Sequence, residues 1–445
     1  MTKKRVFANI FDFATNWSTR LQPAEAEVLQ RILDIRVVDA RVVQGQELSD
    51  RYNICPDQEI VTISNRVFLE QVFYNKQRHL KPQNFKSDND DGLDDPTVGK
   101  GCDFCDPQTW TASETWGRYE NEYAVSASNL FKYCSRHGLV ILKSHDPFKF
   151  SHEQFRGMLD CAGTWFERTA LEAESSPSAD GLVSHPLLIW NTLHRAGASQ
   201  WHPHMQTMLQ GVPFPTQEKI DAMVMRYAFH PGAPSFYRDL TLVHAAASLV
   251  REIRVGDQVA YLFPSLCLYK DMEVQVLGQA LLCPAFTRAL HLGLRALIEE
   301  LGSRTYNVGI LNLSLGGGGG GGGGGDGIGI GALGWTAMGQ NAQTSSMSSV
   351  TTSPPNIRLT TATTASTGAG QGAPAWLLGR PVLARIFNRG KVSVKSADMA
   401  GLEVMGGSST GHCDPYDVVQ AIDDTVDRLF TSTEATIRVL TPDNL

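Results

Sequence analysis

The chain has 445 residues, 42% of them hydrophobic and 19% charged, with a formal net charge of −7. That is enough apolar material for two or three cored domains, which excludes a disordered or fibrous protein. The acidic balance excludes a strongly basic nucleic-acid binder, so no nucleic-acid partner is expected. No apolar run approaches the ~20 residues that span a bilayer, so no membrane partner is expected either. The opening segment carries no secretory apolar core with a cleavage site. Eight Cys are too few for a disulfide scaffold, so the expected location is the reducing cytoplasm. Glycine is the outlier, at 41 residues or about 9% against a usual ~7%.

In chain order, Ser87 to Asp95 is a polar loop carrying Asp88, Asp90, Asp91, Asp94 and Asp95. Clustered carboxylates can bind a metal, but a solvated loop is the expected reading. Gly138 to Leu142 reads as a strand. Ser151 starts a helix with a capping-box arrangement to Gln154, and Phe155, Met158, Leu159, Ala162 and Phe166 follow at helical spacing. Leu187 to Trp190 and His204 to Leu209 are two more strands. The order then recurs: a strand at Val259 to Phe263, one helix face marked by Phe286, Leu290, Leu294, Leu297 and Leu301, and strands at Tyr306 to Leu313 and Val382 to Asn388. Strand, helix, strand, strand appears twice, which predicts an α+β protein of two similar halves.

The glycine excess sits between the last two strands. Gly316 to Gly325 is an unbroken run of ten, and residues 316–374 contain two charged side chains, Asp326 and Arg358. No period persists there, so the segment is expected to be a flexible insertion, a swollen strand-to-strand connection. It is aligned with the Asn191-to-Trp201 loop of the first half.

Two patterns carry chemistry. Cys102-Asp103-Phe104-Cys105 has the spacing that lets two thiolates reach one tetrahedral metal, although the same spacing also occurs in redox pairs and by chance. In His202-Pro203-His204-Met205-Gln206, the residues at 202, 204 and 206 project from one face of an extended strand, in steps of about 7 Å. The bland alternative for such a face is simple solvent exposure. Just upstream, Asn191 to Gln200 forms a Gly/Ser loop whose N–H groups can hold phosphate oxygens.

Asn191, then Gly197-Ala198-Ser199-Gln200-Trp201, then His202-Pro203-His204-Met205-Gln206 resembles the histidine-triad superfamily, in its nucleotidyltransferase branch. That branch includes galactose-1-phosphate uridylyltransferase, diadenosine tetraphosphate phosphorylase (ATP adenylyltransferase) and the nucleotide-sugar phosphorylases. His-Pro-His is the uridylyltransferase form, whereas Gly-Ala-Ser-Gln looks more like the adenylyltransferase form; Trp201 departs from both. Asn121 to Phe131 and Gly138 to His145 look like the opening hairpin of the superfamily and the strand ending in His. The resemblance implies two HIT-like halves with antiparallel sheets and packed helices. Its parts are an N-terminal segment and pocket wall (1–97), a catalytic half (98–215), a second half (216–315 plus 375–445) and the insertion (316–374). The match is good over 98–215 and weaker beyond, where Met399 to Met405 and Asp414-Pro415 resemble the closing element of the branch.

The same resemblance implies a structural Zn2+ held by Cys102, Cys105, His145 and His202. It implies His204 as the nucleophile that forms a nucleotidyl-imidazole intermediate. Gln206 would contact the phosphoryl oxygens without being able to shuttle a proton to water. Asn191, Gly197 and Ser199 are expected at the phosphates, Asn129 at the ribose or base, and Arg385 and Asn388 in the wall supplied by the second half. The substrates expected are a nucleotide or nucleotide sugar and a phosphate-bearing acceptor. Adenylyl transfer is the first expectation, hexose-1-phosphate uridylyl transfer or nucleotide-sugar phosphorolysis the second, and a non-catalytic nucleotide-binding regulator the third. His137, His152 and His194 are expected to be solvated, and Cys134, Cys161, Cys267 and Cys283 to pack as small hydrophobes.

Overall fold

The capping box written at Ser151 and Gln154 forms: Ser151 Oγ accepts the Gln154 N–H at 3.2 Å and Gln154 Oε1 accepts the Ser151 N–H at 2.8 Å. The helix behind it buries Phe155, Met158, Leu159, Ala162 and Phe166 completely. The computed structural model describes residues 5–43, 45–47, 51, 55–77, 95, 97, 100–175, 185–233, 235–313, 373–392, 399–429 and 435–445. The Gly-rich insertion up to residue 372, and Asp88, Asp90, Asp91 and Asp94, lie outside the described residues.

The elements are α1 (Ile10–Arg20), α2 (Pro23–Ile32), β1 (Leu33–Arg41), β2 (Asp57–Asn65), β3 (Glu70–Asn75), α3 (Pro107–Trp110), β4 (Ala124–Ser128), β5 (Arg136–Leu142), α4 (His152–Ser175), β6 (His185–Asn191) and β7 (His204–Gln210). There follow α5 (Pro215–Ala228), α6 (Phe236–Ala246), β8 (Arg251–Val255), β9 (Gln258–Pro264), β10 (Val274–Gly278), α7 (Pro284–Arg295), β11 (Tyr306–Leu311), β12 (Val382–Asn388), α8 (Gly401–Gly406), β13 (Ser408–Gly411), α9 (Pro415–Leu429) and β14 (Thr436–Val439). Among the described residues, no helix is long and apolar enough to cross a membrane.

Ten strands form one antiparallel sheet in the order β14-β8-β9-β10-β12-β11-β6-β7-β5-β4. The two halves are visible in it: β6-β7-β5-β4 and β11-β12-β10-β9 have the same internal order, each with one helix, α4 or α7, in the same place in the chain. The repeated strand–helix–strand–strand pattern matches the strand at 259–263 with β5. In the sheet β9 takes the place of β4, and the short strand β10, which the pattern did not reveal, takes the place of β5. The halves meet where β6 pairs with β11, with Asn307 opposite Asn191 and Gly309 opposite Ile189.

Helices α4 and α7 pack on one face of this sheet. Val140, Leu142, Leu188, Trp190, Met205, Val308 and Ile386 from the strands meet Phe155, Trp165, Phe286, Leu290 and Leu297 in one core. Close approach has a local cause at Gly138, where an added Cβ would lie 2.3 Å from Trp165 Nε1. After α7 a π-turn, Ala296–Glu300, keeps Leu297 in the core, while Leu301 is partly buried.

The opposite face is covered over the second half by an N-terminal layer. There a four-stranded sheet, β1-β2-β3-β13, is antiparallel except for β3 and β13, which run parallel, a departure from the all-antiparallel expectation. Val61, Ile63, Val72 and Tyr74 of this sheet join Tyr261, Phe263, Leu277 and Leu383 in a second core. The layers are also tied by a buried ion triad. Arg385 donates from Nε to Glu273 at 2.6 Å, and from its two terminal nitrogens to the carboxylate of Glu70 at 2.7 and 2.9 Å. Removing the cation strands two buried carboxylates. Arg385→Met is therefore expected to lower the unfolding free energy by about 3–5 kcal/mol in a denaturant titration. A loss below about 1 kcal/mol would show that the triad does not hold the layers together.

Candidate active site

Successive strand residues alternate faces, and the register puts Leu139, Gln206, Ile189, Gly309 and Arg385 in one row across the sheet. They lie on the face away from α4 and α7, as do His204, Asn191 and Asn307. At one end of the row Phe104 covers a small cluster of Val125, Ala127, Leu139 and Ile141. At the other end the N-terminal layer takes over. Between them Ile189, Asn191, Asn307, Gly309 and Leu311 are only partly buried. A methyl group added at Gly309 would meet nothing within 4 Å, so the floor of this trough is open there. Gly inside a strand marks a place where another group can approach the backbone closely.

His204 opens β7 on this face and is 4% exposed. His202 O accepts the His204 Nδ1–H at 2.9 Å, so the lone pair is on Nε2. Burial lowers the pKa of the ring and favours its neutral form. Phe104 stands edge-on to it, with ring centroids 5.1 Å apart. His202, His204 and Gln206 are all buried, so the solvent-exposed reading of this face does not hold.

His202 lies just before the strand and turns to a different cluster. Its Nε2 is 2.5 Å from Leu142 O, and its Nδ1 faces Cys102 Sγ at 3.5 Å, Cys105 Sγ at 3.6 Å and His145 Nδ1 at 3.1 Å. Cys105 Sγ is 3.2 Å from His145 Nδ1, and the four ligand atoms all lie within 4.8 Å of one another. Ligands at the corners of a tetrahedron around a first-row ion stand about 3.3–3.8 Å apart, so this set can hold a metal ion with small adjustments. Each His has its other nitrogen held by oxygen: His202 by Leu142 O, and His145 by Asp95 Oδ2 at 2.6 Å. Burial, and then the adjacent Cys102 sulfur, push the Cys105 thiol up to about 11, a repulsion that a cation between the sulfurs would relieve. Asp95, expected in a solvated loop, thus supports the cluster.

The loop after β6 is shaped by Leu193 at φ +61° and Gly197 at φ +94°, a left-handed value that suits glycine. Gly197 and Ser199 are exposed, and a Cβ added at Gly197 would lie 3.8 Å from Asn191 Nδ2. The second half holds this loop. Asn307 Nδ2 donates to Asn191 Oδ1 at 2.6 Å and to Ala196 O at 2.9 Å, Arg389 donates to Asn307 Oδ1 at 2.6 Å, and Arg195 Nε donates to Arg389 O at 2.7 Å. Asn307 and Arg389 escaped the sequence reading. A polar residue at a facing position of an apolar strand was the available signal for Asn307.

Other residues fall elsewhere. Arg385 has its donors engaged by Glu70 and Glu273, so it serves the fold rather than offering them to a ligand. Asn388 has the opposite strand parity to Arg385 and accepts from Ser303 Oγ at 2.9 Å, away from the trough floor. Asn129 caps the β4–β5 turn, where its Oδ1 accepts the Phe131 N–H at 2.8 Å. His137 is not solvated: it is fully buried on β5, with Nε2 3.0 Å from Gln206 Oε1. His152 is mostly buried as well, 3.3 Å from Thr287 Oγ1, and burial pushes its pKa down to about 4. His194 is exposed, and Cys161, Cys267 and Cys283 are buried.

No protein-family profile and no curated protein sequence matches the chain. Among solved structures, the chain is similar to an ADP-glucose phosphorylase from Arabidopsis thaliana with bound ADP-glucose, with 14% identity, a TM-score of 0.50, and coverage of 82% of this chain and 98% of that one. A uridylyltransferase superposes with 12% identity and a TM-score of 0.46, covering 83% of this chain and 99% of the other. The yeast Ap4A phosphorylase Apa2 in complex with Ap4A gives 11%, 0.24, 65% and 78% in the same terms. The chain thus has the HIT-like fold of the ADP-glucose phosphorylase along nearly the whole length of that enzyme.

Proposed function

We propose that the protein is a nucleotidyltransferase or phosphorylase working through a covalent nucleotidyl-His204 intermediate. The observation that carries this is His204, held through Nδ1 by the His202 carbonyl so that its Nε2 lone pair is available in a trough shared with Gln206. In the first step Nε2 attacks the α-phosphorus, the bond from phosphorus to the bridging oxygen breaks, and a phosphate-bearing leaving group departs with that oxygen. In the second step an acceptor phosphate oxygen attacks the same phosphorus and the P–N bond breaks, restoring the imidazole. Asn191, Gly197 and Ser199 would take the phosphates, and Asn129 is the candidate ribose or base contact. Gln206 has no titratable proton for activating water, so transfer to phosphate is favoured over hydrolysis.

Cys102, Cys105, His145 and His202 would hold zinc, since two thiolates and two imidazoles make a closed four-coordinate set. The ion would supply rigidity: His202 is in it, and the carbonyl of His202 orients His204.

Adenylyl transfer remains the preferred chemistry. Within it, two donors stand: a diadenosine polyphosphate, suggested by the Gly-Ala-Ser-Gln sequence before the histidines, and an ADP-sugar, suggested by the ADP-glucose bound in the similar phosphorylase. A panel of nucleotide sugars and dinucleoside polyphosphates, with inorganic phosphate as acceptor, separates them from uridylyl and guanylyl donors. Phosphorolysis confined to uridine donors would replace the adenylyl reading, and failure of every donor would favour a non-catalytic nucleotide-binding role.

A further inference from the structure

His137 and Gln206 are 69 positions apart and meet on neighbouring strands, both buried on the trough face. The proton positions follow from the surrounding bonds. The backbone N–H of Tyr133 donates to His137 Nδ1 at 3.1 Å, and a backbone amide has no other role to play, so Nδ1 carries the lone pair. Burial lowers the pKa of His137 and favours the neutral ring. Its single N–H is then on Nε2, 3.0 Å from the Gln206 side chain, and can only donate. The group it meets must be the amide oxygen of Gln206. Asn129 Nδ2 also lies 3.2 Å from this Nε2, but in this tautomer Nε2 has no lone pair to accept it, so the contact is proximity alone. Among the described residues this is the one hydrogen bond made by the Gln206 side chain.

We propose that His137 is a positioning residue for the transfer reaction, fixing the Gln206 amide so that its NH2 group, and not its oxygen, faces the phosphoryl group. The inference rests on the nucleotidyl-transfer reading and adds to it. An amide can turn over by half a rotation at little cost, and the turned form would set an oxygen against anionic phosphoryl oxygens. With its oxygen pinned on β5, Gln206 keeps two N–H donors aimed at the developing charge, the arrangement that makes preorganised donors effective. His137 acts through Gln206 and touches no substrate.

A double-mutant cycle tests the coupling. In single-turnover labelling with the donor found by the panel, His137→Phe is expected to lower the rate about 10- to 100-fold with donor affinity within about twofold of wild type. Gln206→Met should cost at least as much, and the double variant should be no slower than Gln206→Met alone. Losses that multiply in the double variant would overturn the proposal, since His137 would then act by another route. Nitrogen-15 NMR of the wild-type histidines provides a reading that needs neither activity nor a variant: the His137 ring should carry its proton on Nε2. A proton on Nδ1 would also overturn the proposal. If no nucleotide labels the wild type, the transfer reading fails by itself. The orientation of Gln206 is still decided by this spectrum, and by whether its side-chain amide resonances move in His137→Phe, or in His137→Gln should the Phe variant not fold.

Discussion

His204→Ala is expected to abolish covalent labelling by nucleotide carrying radioactive α-phosphate, while the protein still melts cooperatively. The expected loss is large because alanine has no nucleophile, and removing one member of a covalent catalytic unit costs roughly 10⁴-fold or more. Stability should suffer little by comparison. The ring of His204 bonds a carbonyl only two residues away and touches Phe104 at its edge, so its removal costs about 1–3 kcal/mol of hydrogen bonding and packing. Two results would count against the proposal: labelling retained by the variant, or wild-type protein that accepts no label from any of the four common nucleotides. The first moves the nucleophile elsewhere, and the second removes the covalent mechanism.

The second large effect concerns the Cys and His cluster. Purified wild-type protein is expected to contain about one zinc per chain, and Cys102→Ser to contain none. An ion present at about 1,000 times its Kd adds about 4 kcal/mol to stability, so the variant should unfold at clearly lower temperature. A chelator should destabilise the wild type and leave the variant unchanged. Labelling should fall too, because His202 supplies both a ring to the cluster and the carbonyl that holds His204. Zinc absent from the wild type, with Cys102→Ser as stable as its parent, would leave the four residues as a hydrogen-bonded group without a metal.

Much of the fold was legible because its signals are local. The capping box at Ser151 and Gln154, the helical spacing from Phe155 to Phe166, and the apolar strands on both sides of the Gly-rich segment each depend on neighbours a few residues away. The misses have a common character. β10 is five residues long and begins beside the charged Glu273, so its alternation is too brief to stand out, and the halves were aligned one strand out of step. The parallel pairing of β3 with β13 joins segments more than 300 positions apart and leaves no periodic trace. Arg385, read as a ligand contact, proved to be a buried cation, because its partners Glu70 and Glu273 come from distant parts of the chain.

The sequence by itself determined which chemistry was available: two thiols at tetrahedral spacing, two histidines and a glutamine at alternate positions, and a glycine–serine loop before them. Those patterns are short, so covalent geometry alone keeps their members together. Only the tertiary structure decided how the groups are oriented and protonated. His202 O selects the tautomer of His204, Asp95 and Leu142 O hold the outer nitrogens of the cluster, Asn307 and Arg389 brace the loop from the other half, and His137 meets Gln206. Each of these is a hydrogen bond between groups that folding must bring together or aim, and a hydrogen bond depends on distance and angle in space.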